Sequence, residues 1–224
     1  MSSSIKLFRR VVSFLKHKTV SSYFVKKHAM PYTTHLAVLM GVAKAKKPKK
    51  VLELGSGLNS TPYFGDSSCF PTVQQVISYE DDPAWYENVS KAVKSKGKID
   101  LRFVISIPEN VCLLVSNEYE MIFIDDSTSA EQRQKTIAGT LRCASPEAII
   151  VVHDFENRNY QNTVRLPWKS VVYSSWKPFT GVIYQNKNLE TPLAKLKKLI
   201  ETNLSVSPQD TKQWIEILST IQER

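Results

Sequence analysis

Four clusters of polar side chains, Glu53-Leu54-Gly55, Glu80-Asp81-Asp82, Asp125-Asp126 and His153-Asp154, each close an apolar run. The runs are those of buried parallel strands: Val51 to Leu54, Val73 to Tyr79, Tyr119 to Ile124 and Ala148 to Val152. In an open α/β sheet, ligands bind beyond the carboxyl ends of the strands, where the strand order reverses. Any one cluster is accounted for by capping the next helix; four on one edge point to a site. Within the first, Gly55 and Gly57 permit a tight turn and a close approach of backbone to a ligand. Ser60 or Thr61 caps the following helix, with Pro62 at its first position, and the free N–H groups there attract a carboxylate or phosphate. Glu80 lies about two dozen residues beyond the glycine turn, where a carboxylate accepts both hydroxyls of a ribose.

The elements that position these groups alternate. After the glycine turn come a weak helix interrupted by Gly65 and a second strand ending at Glu80. A helix capped by Asp82 and ended by Gly97 leads to a third strand, Leu101 to Ser106. The fourth strand ends at Asp125, a helix runs from Glu131 to Leu141, and the fifth strand ends at His153-Asp154. Alternation of this kind makes a parallel sheet covered on both faces. Ser170 to Ser175 and Gly181 to Gln185 read as an antiparallel pair on one sheet edge. Two helices close the chain, one from Thr191-Pro192 and one from Ser207-Pro208 with Asp210 in its first turn. Their stripes, Leu193, Leu196, Leu199 and Ile200, then Trp214, Ile217, Leu218 and Ile221, suit core contacts or a dimer seam.

At 224 residues, 42% hydrophobic and 23% charged, the chain has the composition of one soluble globular domain. No apolar run approaches the roughly 20 residues of a membrane span, and the N-terminus lacks a signal-peptide pattern, so a cytoplasmic protein is expected. Cys69, Cys112 and Cys143 match no metal spacing and read as reduced thiols. A net charge of +9 favours an anionic partner. Ile5, Phe8, Val11, Val12 and Leu15 form a stripe among Lys6, Arg9, Arg10, Lys16 and Lys18. Such a helix lies on an anionic membrane or nucleic acid, or packs on the domain with its cations in water. A second helix is expected from Met30 to Val42, with His35 a structural residue. Lys44 to Lys50 reads as a solvated connector with an option on a phosphate backbone.

Val51 to Gly57, Val76 to Glu80, Tyr119 to Asp126 and Ile149 to Asp154 resemble, in order and spacing, the motifs of class I S-adenosylmethionine (SAM)-dependent methyltransferases. Leu-Glu-Leu-Gly-Ser-Gly, Ser-Tyr-Glu-Asp-Asp-Pro-Ala-Trp, Ile-Asp-Asp-Ser and Val-Val-His-Asp-Phe are most similar to a small-molecule O-methyltransferase-like branch. The resemblance implies a Rossmann-like α/β fold. That fold has a seven-stranded, mostly parallel sheet with an antiparallel edge pair, helices on both faces, and extra N- and C-terminal helices. The division is residues 1–50 as a packed helical extension, 51–185 as the SAM-binding domain and 186–224 as its closing helices. It further implies that Gly55, Ser56 and Gly57 wrap the methionine part of SAM, with Glu53 orienting that loop or the ammonium group. Glu80 holds the ribose with Asp81 beside it, Ser106 and Ile107 lie near the adenine, and Asp125 faces methyl donor and substrate. Asn59, where many members carry a third glycine, narrows the loop or binds the methionine carboxylate; Ser60 follows it.

Methyl transfer asks for alignment and, at a hydroxyl acceptor, removal of a proton. His153 is the expected base, with Asp154 orienting it or acting alone; a magnesium ion on Asp125 or Asp126 with Asp154 is the other option. No Asn-Pro-Pro-Tyr, Asp-Pro-Pro-Tyr or Pro-Cys sequence is present, which sets aside base amino-group and cytosine-C5 methylation. Asp125-Asp126-Ser127 also resembles polyamine synthases, whose glycine-richer loop is missing here. Ser60 at the third glycine position and the antiparallel tail disfavour a nicotinamide enzyme. The expectation is O-methylation of a small or anionic substrate, the alternative a non-catalytic protein holding nucleic acid or another polyanion on the same scaffold. The acceptor depends on loops around Tyr32, His35, Arg158, Tyr160 and Trp168, and the sequence leaves oligomeric state open.

Overall fold

In the computed structural model, residues 33–94 and 97–221 are described. The basic N-terminal stripe from Ile5 to Lys18, and Tyr32, lie outside them.

Five strands run parallel, and their order fixes where a ligand can enter. β1 (Lys50–Leu54) lies between β2 (Gln75–Glu80) and β4 (Met121–Ile124); β3 (Ile99–Phe103) flanks β2, and β5 (Ile149–Val152) flanks β4. The chain therefore moves outward one way from β1 and returns to its other side at β4, giving an order of β3-β2-β1-β4-β5-β7-β6. The crevice opens between the loops that follow β1 and β4. β7 (Thr180–Tyr184) runs antiparallel to β5 and to β6 (Lys169–Tyr173), making the expected antiparallel edge.

Side chains alternate across this sheet and feed two cores. Val51, Val76, Met121, Phe123, Ile149 and Val151 face one layer, and Leu52, Leu54, Ile77, Ile122, Ile124, Ile150 and Val152 the other. The first layer contains α1 (Leu36–Lys46), α7 (Glu190–Thr202) and α8 (Thr211–Ser219). The second contains α4 (Ile107–Leu114) and α5 (Ala130–Cys143), with α2 (Thr61–Phe64), α3 (Pro83–Val93) and α6 (Arg158–Thr163) in the remaining connections. α1 is apolar all round and buried from Leu36 to Ala43, so it enters the core instead of lying on it. The stripes of α7 and α8 are core as well; Trp214 is fully buried and meets Trp176 edge-on at 5.8 Å.

Three differences from the sequence expectations have local causes. Asp210 precedes α8 and caps it, accepting from Gln213 N at 3.1 Å, so the helix starts after this acid and not at Ser207-Pro208. β3 covers Ile99–Phe103, because Ser106 is the cap of α4. Cys112 on α4 and Cys143 on α5 are joined as a disulfide across 31 residues, and Cys69 is a buried cysteine outside it. Nothing in the spacing pairs them; they meet because α4 and α5 pack side by side. No helix among the described residues is long and apolar enough to cross a membrane.

Candidate active site

The loop after β1 is held from below. Gly55 sits at φ +89° and donates its N–H to Tyr79 O at 2.9 Å, turning the chain out of the sheet. Gly57 N–H donates to Thr61 Oγ1 at 2.9 Å, and that hydroxyl donates to Glu53 Oε2 at 2.7 Å. Ser78 Oγ donates to the same oxygen at 2.5 Å. Glu53 thus supports the loop through Thr61 and lies behind the cleft. Its side chain follows the alternation of Val51 into the apolar layer of α1, and burial there pushes its carboxyl up to about 7 against hydrogen bonds from Ser60, Ser78 and Thr61.

A carboxyl raised in the folded state binds protons there that the unfolded chain has released, so folding stability falls as pH rises between about 4.5 and 7. Glu53→Gln keeps an acceptor for Thr61 and Ser78 without that charge. The variant is expected to match the wild type near pH 4.5 and to exceed it at pH 8 by at most about 3 kcal/mol. Thermal denaturation at the two pH values checks this; an equal offset at both would count against it.

At the end of β2, Glu80 Oε2 accepts from Ser56 N and Ser56 Oγ, both at 2.9 Å, and Oε1 accepts from Asp81 N at 3.0 Å and Asp82 N at 2.9 Å. Burial raises its pKa against these hydrogen bonds. Asp82 caps α3, which brings Trp85 against the glycine loop with its Nε1–H on Ser56 O at 2.7 Å. Asp81 turns the other way and accepts from Ile107 N at 2.9 Å, while Ser106 Oγ accepts from Glu109 N. Asp81, Ser106 and Ile107 are thus spent on tying β2 to the start of α4.

The acids after β4 and β5 converge on a group that sequence reasoning missed. Arg133, in the first turns of α5 and 3% exposed, sets Nη2 2.9 Å from Asp125 Oδ1, Nη1 2.5 Å from Asp154 Oδ2 and Nε 3.8 Å from Asp126 Oδ1. Thr136 donates to Asp126 Oδ2 at 2.5 Å. Burial pushes Asp126 up to about 6, against the Thr136 hydrogen bond and the charge of Arg133. Asp154 makes its contact from a left-handed backbone, φ 57°, which aspartate tolerates better than most residues. The acids expected to hold magnesium are thus bridged by a guanidinium. Magnesium demands near-ideal octahedral oxygen coordination, and this set does not fit it.

On the opposite face of the sheet, His153 Nδ1 lies 3.2 Å from Asp125 Oδ2 and Nε2 lies 3.1 Å from Thr34 Oγ1. Thr34 gives its hydroxyl proton to Pro178 O at 2.8 Å, so it accepts from His153. Both ring nitrogens then carry protons. Burial lowers the imidazolium's pKa, but the Asp125 hydrogen bond and charge raise it further, and the net direction is up. His153, expected as the base, has both ring nitrogens engaged by these contacts. Asp125 is the complement: burial raises it, and the hydrogen bond and charge of His153 with Arg133 carry it below the ordinary carboxylate range.

His35, expected to be structural, is part of the same cluster. Its ring stands edge-on to His153 at 4.6 Å, its Nε2 is 3.3 Å from Asn59 O, and burial beside His153 drives its pKa down to about 3. It is therefore neutral. The sequence signal was its place immediately before a helix with no polar face.

A cleft of about 480 Å3 opens over these groups. Of the residues singled out from the sequence, Ser56, Gly57, Asn59, Ser60, Glu80, Asp125, His153 and Asp154 line it, together with His35, Trp85, Asp126 and Arg133; Glu53, Gly55, Asp81, Ser106 and Ile107 do not. Tyr160 and Trp168, two of the acceptor-loop candidates, are core residues, Trp168 donating Nε1–H to Leu141 O.

No protein-family model matches the chain, and no curated protein matches it. Solved structures match in fold. The O-methyltransferase from Bacillus cereus, in complex with S-adenosylhomocysteine (SAH), superposes with a TM-score of 0.55 at 11% identity, over 75% of this chain and 89% of that one. TomG, an O-methyltransferase from Streptomyces achromogenes in complex with SAM, gives 0.53 at 13%, over 74% and 95%. Spermidine synthase from Thermotoga maritima gives 0.52 at 10%, over 84% and 75%. The chain has the Rossmann-like fold of the class I SAM-dependent methyltransferases.

Proposed function

We propose that this protein is a SAM-dependent methyltransferase acting on a hydroxyl oxygen of a small molecule. One observation carries the reading. In a chain of net charge +9, the cleft at the strand-order reversal is lined by Glu80, Asp125, Asp126 and Asp154. Such a lining suits a cationic ligand that also has a ribose and a carboxylate, and SAM is that ligand. When bound, it supplies a methyl group on a sulfur that is already positively charged.

The residues divide the remaining work. Glu80 accepts the ribose hydroxyls in place of the Ser56 hydroxyl, and the N–H groups of the Ser56 to Ser60 loop take the carboxylate. Asp125, held ionised by His153 and Arg133, faces the sulfonium. Asp154, whose side chain is 42% exposed at the mouth of the cleft, is positioned to take the acceptor's proton while Arg133 fixes its other oxygen. Trp85 closes the cofactor end.

Calorimetric titration with SAM and SAH tests the reading. Micromolar binding is expected for the wild type, weakened roughly 100-fold by Glu80→Ala, the loss of two hydrogen bonds to a charged acceptor. Absence of binding to the wild type would overturn it.

A further inference from the structure

We infer that His35, His153 and Asp125 form a binding site for one divalent transition-metal ion of the zinc class at the floor of the cleft. One ligand atom from each of the three lies within 4.8 Å of the others, a separation that one ion spans. The hydrogen bonds around the rings prepare them for the task. Each histidine directs Nε2 at an acceptor, His153 at Thr34 Oγ1 and His35 at the carbonyl of Asn59. That leaves Nδ1 of both for a ligand, the arrangement by which outer partners orient metal-binding imidazoles. Nδ1 of His35 is buried with no hydrogen-bond partner among the described residues. Such an orphaned acceptor is costly unless something occupies it.

Charge supports the same ion. Asp125, Asp126 and Asp154 surround one guanidinium, so with His153 protonated the cluster is short of one positive charge. A divalent ion that replaces the Nδ1 proton of His153 closes that gap, sharing Asp125 with Arg133, the ion on Oδ2 and the guanidinium on Oδ1. Two imidazoles and one carboxylate select zinc, cobalt, nickel or iron over magnesium. All three ligands line the cleft, so the remaining coordination positions face whatever enters it.

Metal binding does not depend on the methyl-transfer reading and is measured without SAM. The full chain, stripped with a chelator, is titrated with Co2+. The visible d–d bands of a low-coordinate site are expected at one ion per chain, abolished by Zn2+ and unaffected by Mg2+. His35→Gln is expected to weaken Co2+ binding at least roughly 100-fold, and Asp154→Asn, which removes a nearby charge but no ligand, to weaken it far less. Nitrogen-15 spectra of the wild type guard against a misfolded variant: Nδ1 of both histidines should shift on addition of Zn2+. No bands in the wild type, unchanged affinity in a folded His35→Gln, or unmoved Nδ1 resonances would each overturn the proposal.

Discussion

Arg133→Met is expected to destabilise the protein by about 3–5 kcal/mol, the usual loss when one partner is taken from a buried ion-pair cluster. For a chain of this length that is a drop of roughly 10 °C or more in Tm. Methionine replaces the aliphatic stem of the side chain but not its guanidinium, so the packing of the stem is kept while Asp125, Asp126 and Asp154 lose their common cation. Arg133→Lys should fall between, since an ammonium cannot span three carboxylates as a planar fork does. If repulsion among the acids is the cause, adding Asp154→Asn to Arg133→Met should restore part of the loss, a non-additivity that chemical denaturation of the four variants would show. A Tm for Arg133→Met within a degree or two of the wild type would mean that the guanidinium is a bystander.

Gly55→Ala should be comparably severe for a different reason. A Cβ there would stand 2.3 Å from Asp126 Cα and 2.4 Å from the carbonyl carbon and oxygen of Asp125, all backbone atoms that cannot swing aside. The backbone angle of +89° adds strain for any L side chain. A loss of about 4 kcal/mol or more is expected, near the upper end for single substitutions, and SAM binding should fail with it. Gly97→Ala is the control: no described atom lies within 4 Å of its would-be Cβ, and its effect should stay within about 0.5 kcal/mol. Comparable losses from both would show that close approach at Gly55 is not what matters.

The architecture was readable because strands such as Met121–Ile124 and Ile149–Val152 are wholly apolar until they reach their acids. Buried parallel strands carry that signature without help from neighbours. Arg133 was not readable in the same way. It sits in a helix whose first turns, Ala-Glu-Gln-Arg-Gln-Lys, look solvent-facing, and its partners lie in the loops after β4 and β5. The clue was that Arg133, Thr136, Ile137 and Thr140 share one stripe, which places the arginine on the buried side. The functional sense of His153 was lost for a related reason. Its identity suggested a base, but its protonation depends on Thr34 and Pro178, remote in sequence and invisible until folded. Glu53 and Glu80 stood where expected, yet which of them reaches the cleft follows from strand alternation and the contacts of Thr61 and Ser56.

Asp125 and Asp126 are adjacent and both reach Arg133 of α5, yet Asp125 also meets His153 on the far side of the sheet while Asp126 meets Thr136 of α5. For the history of such a protein this makes counting more dangerous than spelling. Exchange of one acid for another side chain changes a charge or a hydrogen bond and leaves the partition intact. Loss or gain of a single residue between Met121 and Asp126 turns the whole run over, delivering Asp126 to the histidines and an apolar strand face to the wrong helices. Lineages carrying this site are therefore expected to vary freely in the lengths of surface loops, while the span from β4 to Asp126 stays invariant in number.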